Sequence, residues 1–136
     1  MQSDNSKRYG LSASEARDLT QKILSFAKAD HTRLRIDSGV HGFTRTAINR
    51  VTTAAATDNI EIQITSVFGK RVASVNTNRL DEASLERAVR DSEALAKLAP
   101  ENPEYMPELG PQKYAEVDGY YTSAGDLTTE SRARAI

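Results

Sequence analysis

Ile60-Glu61-Ile62-Gln63-Ile64-Thr65 alternates an apolar, β-branched residue with a polar one, and this strict period of two constrains the chain more than any other feature in it. Successive side chains of a strand leave opposite faces, so Ile60, Ile62 and Ile64 share one face while Glu61, Gln63 and Thr65 share the other. Such a strand requires an apolar layer on one side only. Gly69-Lys70 follows as a tight turn of the II′ kind with glycine first, and Arg71 to Val75 returns as a second strand.

Two amphipathic helices supply the apolar layer. Leu11-Ser12-Ala13-Ser14-Glu15 reads as a helix start in which Ser12 caps the Glu15 N–H and the Glu15 carboxylate reaches back to Ser12. Ala16, Leu19, Ile23, Phe26 and Ala27 then recur at helical spacing, giving a helix to about Ala29. A second helix opens at Asp81, a good N-cap, with Leu80 placed to staple onto Leu85. Leu85, Ala88, Val89, Leu95, Ala96 and Ala99 form its expected buried stripe, and Pro100 bounds it. Glu82, Glu86 and Glu93, beside Arg87, Arg90 and Lys97, read as an exposed ion-paired face.

Between the first helix and Ile60, Arg33-Leu34-Arg35-Ile36-Asp37 alternates as a half-buried strand, and Ser38-Gly39-Val40-His41-Gly42 reads as a turn. Phe43 to Thr53 is β-prone, with room for a bulge at Asn49-Arg50, and Thr52 to Asn59 reads as a connection. The order is α-β-β-β-β-α. The expected fold class is α+β, a four-stranded antiparallel sheet with two helices packed on one face. Pro100, Pro103, Pro107 and Pro111 then make an extended strap; the segment also has a PxxP-like look, but a linker within the chain is the simpler reading. Asp126 begins a third helix of about two and a half turns, too short to persist undocked. The expected boundaries are a flexible N-terminus over 1–10, the α+β domain over 11–99, the strap and loop over 100–125 and a truncated helix over 126–136. The chain is expected to be the front piece of a longer protein.

With 38% hydrophobic and 27% charged residues in 136, the composition is that of an ordinary globular domain. The absence of cysteine excludes disulfides and thiolate metal sites. No run approaches the ~20 apolar residues of a membrane span, and Met1 to Gly10 lacks the apolar core of a secretory signal, so the cytoplasm is the expected compartment. A net charge of −1 hides an imbalance: between His31 and Leu80 stand seven basic residues and three acidic ones. A positive sheet can steer an anionic partner, which gives an alternative function, a stand-alone module binding nucleic acid or protein through a basic β-sheet. Basic residues also serve as the wet face of a sheet, and only Phe43 and Phe68 offer stacking there, so nucleic acid is not the expected partner.

Catalytic motifs are missing. His31 and His41 are the two histidines, ten apart, with no HExxH pair to meet a metal from one helix face. There is no GxSxG elbow, and Lys70 lacks the upstream glycine of a P-loop. No catalytic residue and no metal ligand is assigned.

The order of these pieces resembles the N-terminal domain of the TldD/PmbA family of metallopeptidases, once called modulators of DNA gyrase. The resemblance lies in Leu11-Ser12-Ala13-Ser14-Glu15-Ala16 at the first helix, Ile36-Asp37-Ser38-Gly39-Val40-His41-Gly42-Phe43-Thr44-Arg45, and the Asn-centred Ala47-Ile48-Asn49-Arg50-Val51-Thr52. It continues through Val67-Phe68-Gly69-Lys70-Arg71-Val72-Ala73-Ser74-Val75-Asn76-Thr77-Asn78, Leu80-Asp81-Glu82-Ala83-Ser84-Leu85-Glu86-Arg87-Ala88-Val89 and Leu98-Ala99-Pro100-Glu101-Asn102-Pro103-Glu104-Tyr105. It implies cytoplasmic dimers, either homodimers or TldD/PmbA-type heterodimers, acting in proteolysis or peptide maturation on a peptide or unfolded protein substrate, with no membrane partner. In the TldD type, the resemblance places zinc in an HExxxH motif of a C-terminal domain. This chain has no HExxxH, so no zinc ligand carries over to it. The implied role is a non-catalytic domain shaping the substrate chamber and the dimer. Arg45, Asn49 and Arg50 are the candidate peptide-contact residues, near a sheet edge to which an extended peptide can add as a strand.

Overall fold

The structure is a computed structural model describing residues 10–117, 119 and 121–135. Most of the expected flexible N-terminus, 1–9, and the last residue of the expected third helix lie outside the described residues. The elements are α1 (Ala13–Phe26), β1 (His31–Ala47), β2 (Arg50–Phe68), β3 (Arg71–Thr77), α2 (Glu82–Leu98), α3 (Thr122–Gly125) and α4 (Thr129–Arg134). The strands form one antiparallel sheet in the order β1-β2-β3.

The sheet has three strands where four were expected, and the difference has a local cause. Ser38 to Gly42 is the middle of β1 rather than a turn, and the connection placed at Thr52 to Asn59 is part of β2. Gly39 and Gly42 both lie outside the left-handed region, so neither bends the chain. Reversal occurs instead at Ile48 and Asn49, with φ of 53° and 54°. Two consecutive left-handed residues are the geometry of a two-residue I′ hairpin loop, which matches the right-handed twist of the flanking strands. Asn tolerates that conformation, whereas Ile, branched at Cβ, is strained in it.

The chain divides into two units. The first comprises the described residues up to Val40 together with Asp58–Tyr105, and the second comprises His41–Thr57 with the described residues from Met106 onward.

The first unit holds the core. Ile62 and Ile64 of β2 meet Ile23 of α1 and Leu85, Ala88 and Val89 of α2, and Leu34, Ile36, Ile60 and Val75 pack around them. β3 pairs with the last part of β2, in the register Ile62↔Thr77 to Phe68↔Arg71. Ser12 and Glu15 close the capping box of α1, and Asp81 accepts from the Ser84 N–H at 3.0 Å at the start of α2.

Polar groups fasten this layer. Glu93 is 4% exposed, not on the wet face where helical charge patterning placed it. Its carboxylate accepts from the Lys28 and Ala29 backbone N–H groups beyond the end of α1, while Arg90 donates to the Phe26 carbonyl at 3.0 Å. Burying a carboxylate is tolerable only when its lone pairs are satisfied in this way. Ser66 and Ser92, both fully buried, join strand to helix through a 2.7 Å hydrogen bond. Asp30 accepts from the Gly69 N–H at 2.8 Å, which fixes the β2–β3 turn; there Gly69 adopts φ of 59°.

In the second unit, the β1–β2 hairpin carries residues His41–Thr57. The Arg132 guanidinium of α4 lies directly over Gly42, within 2.3 Å of where a Cβ would stand, and donates to the Leu127 carbonyl at 2.8 Å. A larger residue at 42 would have to displace that side chain. Between Met106 and Tyr121 the chain has no regular structure among the described residues, and Met106, Leu109, Tyr114, Val117 and Tyr121 are all well exposed.

Candidate peptide-contact and docking surfaces

Arg45 closes toward the end of β1, Asn49 is the second loop residue and Arg50 opens β2, so the hairpin gathers all three candidate peptide-contact residues at its apex. Each is exposed. The Thr52 hydroxyl donates to the Arg45 carbonyl at 3.2 Å, tying the strands together three residues from the loop. Neither arginine takes part in an ion pair among the described residues. No Asp or Glu occurs anywhere from His41 to Thr57, so the hairpin arm is a purely cationic ribbon. Its apex is also apolar: Ile48 is 95% exposed, and Phe43 is 53% exposed.

Sequence reasoning selected the polar residues of this apex and missed Ile48. The signal was present in Asn49, which favours the left-handed conformation; its pairing with Ile rather than Gly concealed the loop.

Three other arginines of the strand region are paired with carboxylates. Arg35 binds Asp37 at 2.7 Å, Arg79 binds Asp81 at 3.0 Å, and Arg71 stands 3.9 Å from Glu101 while donating to the Lys97 carbonyl. On the face of the sheet away from the helices, Arg35, Asp37, Glu61 and Gln63 line a shallow hollow of about 130 Å³, and Asn76 donates to Glu61 at 2.7 Å. This surface is self-compensated. It is not the continuous positive sheet that the charge count suggested.

A second hollow in the first unit, about 330 Å³, is lined by Gly10, Leu11, Ser38, Asp58, Asn59, Ile60 and Leu80. The Ser38 hydroxyl accepts from the Leu11 N–H at 3.0 Å, and Gly10, with φ of 86°, lies so close that a Cβ would stand 2.6 Å from the Ser38 carbonyl oxygen. Leu80 is 47% exposed, and Asp58 has no ion-pair partner among the described residues.

His31 and His41 both lie on β1 and are exposed. Among the described residues no three His, Asp or Glu side chains converge to hold a metal ion. No helix among these residues is long and apolar enough to cross a membrane.

A helix pair over one face of a short antiparallel sheet, extended by a long hairpin, places the chain in the α+β class. The same architecture is found in TldE from Thermococcus kodakarensis, with a TM-score of 0.60 at 15% sequence identity over 85% of this chain. The matched region covers 26% of that protein, so the chain spans about a quarter of its length. That likeness is one of fold. No protein-family model and no curated protein sequence matches the chain.

Proposed function

We propose that the chain acts as a non-catalytic domain of a TldD/PmbA-like protein, shaping a peptide-binding chamber and taking part in dimer formation. The supporting observation is the shared fold with TldE across 85% of the chain, in a segment that lacks a metal-binding motif. The arm carrying Arg45, Asn49 and Arg50 contacts an extended peptide or an unfolded protein. Strand edges bind such chains through main-chain hydrogen bonds, which do not depend on side-chain sequence, and the arginines add attraction for acidic stretches. Chemistry on the bound peptide, including any zinc-dependent hydrolysis, belongs to another domain or subunit. The setting of this reading is cytoplasmic proteolysis or peptide maturation.

The test is a titration of the chain with a fluorescein-labelled, unstructured polypeptide, followed by anisotropy, with a gel time course taken with and without added zinc. Binding without cleavage is expected, and the double variant Arg45→Ala, Arg50→Ala should weaken it roughly tenfold, equivalent to about 1.4 kcal/mol. Cleavage by the isolated chain would overturn the non-catalytic reading, and absence of binding would overturn the chamber role.

A further inference from the structure

The row of isoleucines on β2 ends in a carboxylate. Ile60, Ile62 and Ile64 share the face that meets the helices, and Asp58, two residues before Ile60, continues that row beyond the core. Pairing with β3 stops at Ile62↔Thr77, after which the chain leaves the sheet through Asn78 and Leu80 to begin α2. Two adjoining hollows, which share Asn59 and Ile60, open at this end of the first unit.

The hollow of about 330 Å³ has Leu11, Ile60 and Leu80 as apolar walls and Asp58 as its charge. Its Leu11 wall is fixed by the hydrogen bond to the Ser38 hydroxyl and by the close approach of Gly10 to the Ser38 carbonyl. The adjoining hollow, about 300 Å³, is lined by polar residues apart from Ile60, among them Asn59, Glu61, Asn76 and Asn78. Asn76 is spent on Glu61, at 2.7 Å. The Asp58 carboxylate and the Asn59 and Asn78 carboxamides make no hydrogen bond or ion pair among the described residues. No Lys, Arg or His lines either hollow.

We propose that this end of the first unit binds a lysine side chain presented by an extended peptide, with the stem on Leu11, Ile60 and Leu80 and the ammonium at Asp58. The inference rests on the peptide-binding part of the function proposed above and adds a side-chain preference at a separate place on the chain. Charge decides the head group. A phosphate or carboxylate would meet Asp58 with no cation to balance it, and a wholly apolar group would cover that carboxylate without giving it a partner. An ammonium has three donors and no acceptor, which suits a carboxylate beside carboxamide oxygens, and its four-carbon stem covers apolar walls while the head stays at the rim. The carboxamides argue for a peptide rather than a free amine. Each offers a donor and an acceptor, as a peptide group does, so Asn59 and Asn78 complement a main chain of any sequence.

The test is an NMR titration of the isotope-labelled full chain with a capped Gly/Ser peptide that bears one central lysine and no acidic residue. Saturable shifts are expected at the amides of Leu11, Asp58 to Ile60, Asn78 and Leu80. Replacing the lysine by norleucine, which keeps the stem and removes the charge, should raise Kd about fivefold, the range of an exposed ion pair. Asp58→Asn should do the same, Asp58→Lys should abolish binding, and Asp58→Glu should retain it, with circular dichroism unchanged throughout because the residue is exposed. Asn78→Ala should weaken the peptide and leave n-pentylamine unaffected. Equal affinity for the norleucine peptide, or binding that survives Asp58→Lys, overturns the ammonium contact. Tighter binding of n-pentylamine than of the peptide overturns the peptide as its source. The double variant Arg45→Ala, Arg50→Ala should bind the lysine peptide unchanged, so a hollow that stays silent while the arm still binds unstructured polypeptide overturns this inference alone.

Discussion

The first unit and the hairpin arm use the same two strands and hold them by different means. From Ile60 to Phe68, β2 lies beneath two helices and beside β3, with Ile62, Ile64 and Ser66 fully buried. From Arg50 to Asn59 the same strand has no fully buried residue, and only Ala55 is even half-buried. Regular backbone is therefore no measure of stability within this molecule. In the first unit apolar burial holds the strands; in the arm, cross-strand hydrogen bonding does so with little burial behind it, a marginal arrangement in water for a two-stranded ribbon.

The sharpest way to break this comparison is to truncate one apolar side chain in each region. Leu85→Ala removes a fully buried side chain from the contact of α2 with Ile62 and Ile64, and the loss of stability should be about 2–5 kcal/mol. Phe43→Ala, on the arm, should change global stability by no more than about 0.5 kcal/mol. Chemical denaturation of both variants checks the pair. Equal losses would mean that the arm is part of the cooperative core.

A smaller effect sharpens the polar side of the same contrast. Glu93→Ala leaves the Lys28 and Ala29 N–H groups without their acceptor and takes from Arg90 its nearly buried partner, so a loss of about 1–3 kcal/mol is expected. Glu86→Ala, on the half-exposed side of the same arginine, should cost at most about 0.5 kcal/mol. Thermal unfolding of the two variants separates a buried fastening from a surface ion pair.

These contrasts explain which parts of the fold were legible in the sequence. Alternation of polar and apolar residues is written by burial on one face, so Ile60 to Ile64 and Leu34 to Ile36 announced themselves as strands. Where both faces of the ribbon are wet, nothing selects alternation, and Thr52 to Asn59 reads as a connection although it is strand. Glycine then misled, because Gly39 and Gly42 resemble turn residues, while the residue that requires space, Gly42, requires it for the Arg132 guanidinium. Both helices showed through their caps. Glu93 did not, since a carboxylate at i+4 from Val89 continues the buried stripe in position but not in chemistry. The apex arginines were visible as charge; that they form no ion pair among the described residues, unlike Arg35, Arg71 and Arg79, is a product of the fold.

Relief of strain at the apex should strengthen the arm alone. Ile48→Gly removes the branched Cβ from a left-handed position, so the hairpin should gain about 1 kcal/mol, read as slower hydrogen exchange at the amides from Arg45 to Thr52. Amides of Ile62 to Val67 should keep their rates, since those strands open with the core. Uniform slowing across both regions would show that they open together.

The smallest expected effect is the dependence of the first unit on acid. Asp81 caps α2, and hydrogen bonds from the Ser84 side chain and backbone, then from Arg79, hold its carboxyl below the usual aspartate value. A depressed value in the folded state means that its stabilisation is fully present above the unfolded value of ~3.9 and disappears as pH falls through the folded one. Thermal unfolding followed from neutral pH downward should therefore show an acid-side loss that is shallower in Asp81→Asn, which keeps a capping oxygen but cannot titrate. The loss should appear at the first-turn amides of α2 and not in the arm, where residues His41–Thr57 include no carboxylate. If the arm amides lose protection over the same acid range, its strands depend on the helix layer of the first unit, and the separation between the two regions fails.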